Sequence, residues 1–125
     1  PSPREQRRRV PKRRKESPEA RALKLLSRWL SSKQQQQFRN TGAFTVRGQS
    51  ETLYELTLGR AGNLYALSQD GKARVSRYCV HPREAVPDAD TLLSQLLWLQ
   101  TDEVGLLALA NRQTLDRATP RVLVN

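Results

Sequence analysis

The stretch AFTVRGQSETLYELTLGRAGNLYALSQDGKARVSRYCV, residues 43–80, decides the fold class. Phe44 and Val46 alternate with Thr45 and Arg47, and Tyr54, Leu56 and Leu58 alternate with Glu55 and Thr57. A period of two is that of a strand with one buried face. Gly48 to Glu51, Gly59 to Gly62 and the pair Asp70-Gly71 supply turns, and two further extended runs follow at 64–67 and 73–80. Four short runs joined by three turns predict an antiparallel meander with the strands in chain order, because no long crossover is needed.

Upstream of Gly42 the apolar period is helical. Ser17-Pro18-Glu19 reads as a helix start: a serine N-cap, a proline where its missing N–H costs nothing, and an acid at the positive end of the dipole. Leu23, Leu26 and Leu30 recur at helical spacing, Ala22, Leu25 and Trp29 widen the stripe, and Arg21, Lys24 and Arg28 take the other side. Trp29 and Trp98 are expected in the core; an exposed tryptophan on the first helix would instead mark an interface anchor. Ser32 and Gln35 match the capping-box spacing, which predicts a short second helix carrying Phe38 inward until Gly42 ends it. The glutamines Gln34 to Gln37 are ordinary helix formers in too short a run for an aggregating tract.

Downstream, His81 to Pro87 reads as a proline-bracketed loop, and Pro87-Asp88-Ala89-Asp90 as another helix start. Leu92, Leu93, Leu96, Leu97 and Leu99 make that helix apolar around most of its circumference, so it is expected to be buried on several sides. Thr101-Asp102-Glu103 looks like a fresh cap, which divides the region into helices at 89–99 and 102–111. Residues 120–124 form a short extended piece suited to an edge strand or to docking on a neighbour. The expected whole is an α+β protein: a basic arm at 1–16, then one small domain at 17–125. That domain is helical at 17–41, a β-meander at 43–80, helical at 88–111 with the Leu-rich helices packed on the sheet, and a C-terminal tail at 112–125.

Charge is distributed unevenly along this plan. The 125 residues carry a formal net charge of +10, yet the first fifteen alone hold Arg4, Arg7, Arg8, Arg9, Lys12, Arg13, Arg14 and Lys15 against the single acid Glu5. With Pro3 and Pro11 flanking its cations and only Val10 as an apolar residue, such a segment buries too little surface to offset its ordering entropy, so it is expected to be disordered until it meets an anion. Arginine forks pair bidentately with phosphate, and the segment has no aromatic residue for base stacking. Sequence-independent binding to nucleic-acid phosphates, RNA or DNA, is therefore expected of these eight residues, helped by Arg21, Lys24 and Arg28. Competing readings are a nuclear address, an acidic groove on a partner protein, and a solvated tail that aids solubility or touches anionic lipid, the lipid contact lacking apolar anchors.

The remaining chemistry-bearing residues have plainer readings. Cys79 and His81, the only thiol and the only imidazole, stand two apart, about 7 Å along a strand. Two ligands do not make a zinc site, and a nucleophilic pair would also need an orienting group and oxyanion donors. Asp88, Asp90, Asp102 and Glu103 each fall at a helix start, which accounts for them without catalysis. Gly59-Arg60-Ala61-Gly62-Asn63 lacks the Lys-Ser/Thr ending and following helix of a phosphate loop. No enzyme activity, metal or cofactor is therefore expected. No apolar run approaches the roughly 20 residues of a membrane span, and no signal-like segment follows the basic start, so an intracellular, non-secreted protein is expected. With no Met at position 1, removal of the initiator or processing is expected.

The order Phe44-x-Val46, Gly48, Tyr54, Tyr78-Cys79-Val80-His81-Pro82, Pro87-x-x-Asp90 and a Leu-rich helix resembles small uncharacterised α+β proteins of bacteria and their phages, over residues 38–111. The resemblance implies the fold class and no activity. The Cys-x-His element is also similar to the last half of a SWIM-type zinc module, but the upstream Cys-x-Cys of that module is missing, so zinc is not carried over. The expectation is a non-enzymatic structural protein of a ribosome-, virion- or chromatin-like assembly, with protein neighbours as well as nucleic acid. The alternative is a protein–protein adaptor or capsid-type subunit whose arm docks on a partner.

Overall fold

The period-two runs become four strands: β1 Ala43–Arg47, β2 Leu53–Thr57, β3 Leu64–Leu67 and β4 Ala73–Cys79. The computed structural model describes residues 16–58, 63–80 and 86–120, with 116–119 described by backbone alone. A fifth strand, β5 Asn111–Pro120, pairs antiparallel with β4 and completes a sheet in the order β1-β2-β3-β4-β5. The residues expected as a tail from 112 thus belong mostly to the sheet, and Asn111, expected to end a helix, opens a strand instead. Asn111 to Thr114 are exposed, so their pairing rests on backbone bonds and leaves no apolar alternation to read.

Four helices complete the described residues: α1 Pro18–Trp29, α2 Ser32–Thr41, α3 Asp88–Thr101 and α4 Glu103–Leu109. Ser17 caps α1, accepting from the Ala20 amide at 3.1 Å. The capping box of α2 lies one residue earlier than the spacing of Ser32 and Gln35 suggests. Ser31 Oγ accepts from the Gln34 amide (3.2 Å), and Gln34 Oε1 accepts from the Ser31 amide (2.9 Å). Gly42 ends α2 at φ 75°, a conformation that a side chain disfavours. Asp102 separates α3 from α4, accepting from the Gly105 amide at 3.1 Å.

Register sorts the sheet's residues onto two faces. Phe44, Leu56, Leu64 and Tyr78 stand opposite one another across β1 to β4, with Val46, Tyr54, Ala66 and Ser76 in the next row of the same face. Leu92, Leu96 and Leu99 of α3 join this face in one core, and Ala22 and Leu26 of α1 extend that core by packing on α3. Leu58, expected on the same stripe, lies beyond the end of β2 and is exposed. Phe38 of α2 closes the core at the β1 side, edge-on to Phe44 with ring centroids 5.9 Å apart. Each fully buried leucine contributes about 1.5–3 kcal/mol of transfer free energy.

Two polar contacts fix the helices on the sheet. Asn63, just before β3, and Gln95 in the middle of α3 are 1% and 2% exposed and exchange amide hydrogen bonds of 2.7 and 3.3 Å. Each satisfies the other's buried amide, so neither carries an uncompensated desolvation cost.

The second contact centres on Glu103, 4% exposed at the start of α4. Its carboxylate accepts from the Ser50 amide (2.7 Å), the Ser50 hydroxyl (2.6 Å) and the Tyr54 hydroxyl (2.5 Å). Gln49 bridges the same junction, accepting from the Glu103 amide and donating to the Thr101 carbonyl, both at 3.0 Å. The β1–β2 loop is thereby clamped to the α3–α4 corner. Gly48 leaves room for the clamp: a Cβ there would stand 2.5 Å from Glu103 Oε1, and three hydrogen bonds hold that carboxylate in place. Gly48→Ala is therefore expected to destabilise the fold by about 1–3 kcal/mol, read as a lowered urea midpoint. An unchanged midpoint would show that the carboxylate yields freely.

The glutamines of α2 have a specific role in the sheet. Thr45 turns its backbone outward from the β1 edge, where its amide donates to Gln37 Oε1 (3.1 Å) and its carbonyl accepts from Gln34 Nε2 (2.8 Å). The Thr41 hydroxyl stands 3.1 Å from both the amide nitrogen and the carbonyl oxygen of Ala43. Gln35 Nε2 reaches the Ser27 carbonyl at 2.7 Å and the Leu30 carbonyl at 3.3 Å, closing the end of α1. Side chains of one helix thus satisfy backbone groups of an edge strand that otherwise invite pairing.

Candidate nucleic-acid interface

The sequence concentrates its candidate site in two places, and the structure describes one of them. Arg4, Arg7, Arg8, Arg9, Lys12, Arg13, Arg14 and Lys15 lie outside the described residues. Arg21, Lys24 and Arg28 lie on α1 and are all exposed. At about 100° per residue the three fall within one sector of the helix, opposite Ala22 and Leu26, which face the core. Arg28 also stands in the last turn of α1, where a cation complements the helix dipole. Lys24 is paired with the Glu16 carboxylate, so Arg21 and Arg28 carry the face's charge toward solvent.

The remaining apolar residues of α1 correct the sequence reading. Trp29, expected in the core, is 55% exposed, and Leu25 one turn earlier is 42% exposed. Leu23, on the other flank, is also exposed. The buried stripe is narrower than the apolar stripe because α3 covers α1 along a single seam through Ala22 and Leu26. Trp98 is partly buried against the core, as expected.

The sheet face opposite the core is rich in polar and charged groups. Thr45, Glu55, Tyr65, Arg77 and Gln113 align across its five strands. Glu55, 4% exposed, receives Nε and Nη2 of Arg74 at 2.7 Å each. The same guanidinium lies 4.1 Å from the centre of the Tyr65 ring. Arg74 is therefore committed to its own sheet by charge and by stacking. Arg77 Nε is buried with no hydrogen-bond partner among the described residues.

Cys79 is half-buried at the end of β4, and His81 lies outside the described residues. No group of three or more His, Cys, Asp or Glu suited to a metal occurs among the described residues. Residues 59–62, expected as a turn, lie outside them as well; Asn63 is the buried partner of Gln95. Asp88 and Asp90 occupy the first turn of α3 and Asp102 caps α4, as read from sequence.

Glu103 is the residue whose role the sequence hid. Burial alone pushes its carboxyl up, but hydrogen bonds from the Ser50 hydroxyl, the Tyr54 hydroxyl and the backbone of Ser50 and Gln49 outweigh it and hold the group below the ordinary 4.5. Burial, and then the carboxylate, push the Tyr54 hydroxyl well above the ordinary tyrosine value. The pair is a carboxylate and a protonated phenol at neutral pH, a tie rather than an acid–base couple. No helix among the described residues is long and apolar enough to cross a membrane. No family model, no curated protein and no solved structure matches the chain.

Proposed function

We propose that the protein is a non-enzymatic structural component of a nucleoprotein assembly that binds nucleic-acid phosphates without sequence preference. One observation carries this reading: the segment that holds +7 of the net charge of +10 leads within three residues into a helix whose exposed side presents Arg21 and Arg28. The cationic track runs from residue 4 to residue 28, while the core, the Asn63–Gln95 pair and the Glu103 clamp serve folding. Phosphate contacts supply affinity by releasing counterions, and the folded part fixes where the track sits.

Filter binding to duplex DNA, single-stranded RNA and polyglutamate over a salt series tests the proposal. The full chain is expected to prefer nucleic acid, with a steep fall in affinity as salt rises. Deleting residues 1–15 is expected to flatten the slope of log K against log salt by about 0.7–0.9 for each phosphate that the shortened chain leaves unneutralised. Undiminished binding after the deletion would defeat the proposal. Equal affinity for polyglutamate would instead favour an adaptor whose arm docks in an acidic groove.

A further inference from the structure

We propose that α1 also carries a stacking site for unpaired bases, with Trp29 as the platform and Arg21 and Arg28 as its phosphate partners. The proposal rests on the nucleic-acid reading above and narrows its substrate class to single strands.

Three features of α1 lead there. First, Trp29 is 55% exposed and Leu25, four residues earlier on the same side, is 42% exposed, while Ala22 and Leu26 take the core-facing positions. Second, the apolar pair borders the basic sector: at about 100° per residue, Leu25 begins about 40° beyond Arg21, and Trp29 follows between Leu25 and the buried seam. Third, the acids of this region are directed elsewhere. Glu16 is engaged by Lys24, and Glu19 lies past the buried sector on the far flank. On α1 itself, the surface beyond Leu25 therefore passes into the basic sector of Arg21 and Arg28 with no acid between them.

An exposed indole on a helix whose adjoining sector carries two guanidinium groups matches a base and the phosphates of its own strand. In a duplex the base faces are hidden in the stack, whereas a single strand leaves them open, and every base has a π-face to offer. The basic segment 4–15 has no aromatic residue, so Trp29 supplies what that segment lacks. A protein partner for this surface would have to combine an apolar pocket with an acidic rim, and the test below includes that outcome.

The test uses the full chain, a fluorescent oligouridine, and a duplex with the same number of phosphates. Trp29→Ala is expected to weaken oligouridine binding about tenfold and Trp29→Phe about twofold, with duplex binding changed by less than about twofold. In a Trp98→Phe chain, the emission of Trp29 is expected to be quenched as oligouridine is added. Because Trp29 lies outside the core, circular dichroism of Trp29→Ala is expected to match the parent chain. Equal losses on single strand and duplex would overturn the proposal, as would undiminished oligouridine binding. A change in the oligomeric mass of Trp29→Ala, with oligouridine affinity intact, would overturn it in favour of a protein contact. Failure of the parent chain to bind either nucleic acid would remove the broader reading together with this one, whereas indifference to Trp29 removes only this one.

Discussion

Glu103→Gln is expected to cost about 3 kcal/mol of folding stability at neutral pH, on the order of 10 °C in melting temperature for a domain of this size. The carboxylate of Glu103 accepts three hydrogen bonds at 2.5–2.7 Å in a site 4% exposed. An amide in its place turns an NH2 toward groups that are themselves donors, leaving at least one buried donor without a partner. The pH dependence gives a second readout. Because the folded carboxyl titrates below 4.5, its stabilisation is complete above that value and is lost as pH falls through the folded pKa, when the unfolded chain binds the proton first. Thermal melts of parent and variant are therefore expected to differ most near neutral pH and to converge in acid. A constant difference across the titration would show that Glu103 acts only through its shape. Tyr54→Phe, which removes one donor and keeps the ring, is expected to cost about 1 kcal/mol.

Leu64→Ala is expected to cost about 3–5 kcal/mol, a large part of the 5–15 kcal/mol that holds a domain of this kind together. Leu64 lies on β3, the middle strand of five, is 0% exposed, and stands between Leu56 on β2 and Tyr78 on β4. Shortening it leaves a cavity that strands paired on both sides cannot collapse to fill. Val104→Ala, at a site 79% exposed on α4, is the matched control and is expected to stay within about 0.5 kcal/mol of the parent. Urea unfolding of both variants reads the contrast directly. A loss below about 1.5 kcal/mol at Leu64 would mean that the sheet repacks around the gap.

The meander was legible because a strand with one buried face writes its period into the sequence. Phe44, Val46, Tyr54 and Leu56 alternate with polar neighbours, and Asp70-Gly71 forms a turn in which Asp70 Oδ1 accepts from the Ser68 hydroxyl (2.6 Å) and the Lys72 amide (3.0 Å). Strand β5 was not legible, since Asn111 to Thr114 are held by backbone pairing with β4 and bury little apolar surface. Trp29 misled because an apolar stripe reports what a helix is able to bury, whereas tertiary packing decides how much of it is covered. Glu103 was hidden by position: a carboxylate in the first turn of a helix already has a local explanation, and its partners Ser50 and Tyr54 lie about fifty residues away. Arg21, Lys24 and Arg28 fall on one exposed side of α1, as their helical spacing indicates, and the attachment of Lys24 to Glu16 had no signal in helix spacing.

The attention that α2 gives to one border of the sheet sets a limit on how these molecules meet. Assembly by strand addition propagates only if every unit is receptive on two sides. Here Gln34, Gln37 and Thr41 already occupy outward backbone groups at Ala43 and Thr45, while β5 is the terminal strand on the opposite border. Among the described residues, a visiting strand therefore finds an opening on one side alone. Two molecules joined there would each present a sealed margin to the next, so the encounter ends as a pair instead of seeding a filament.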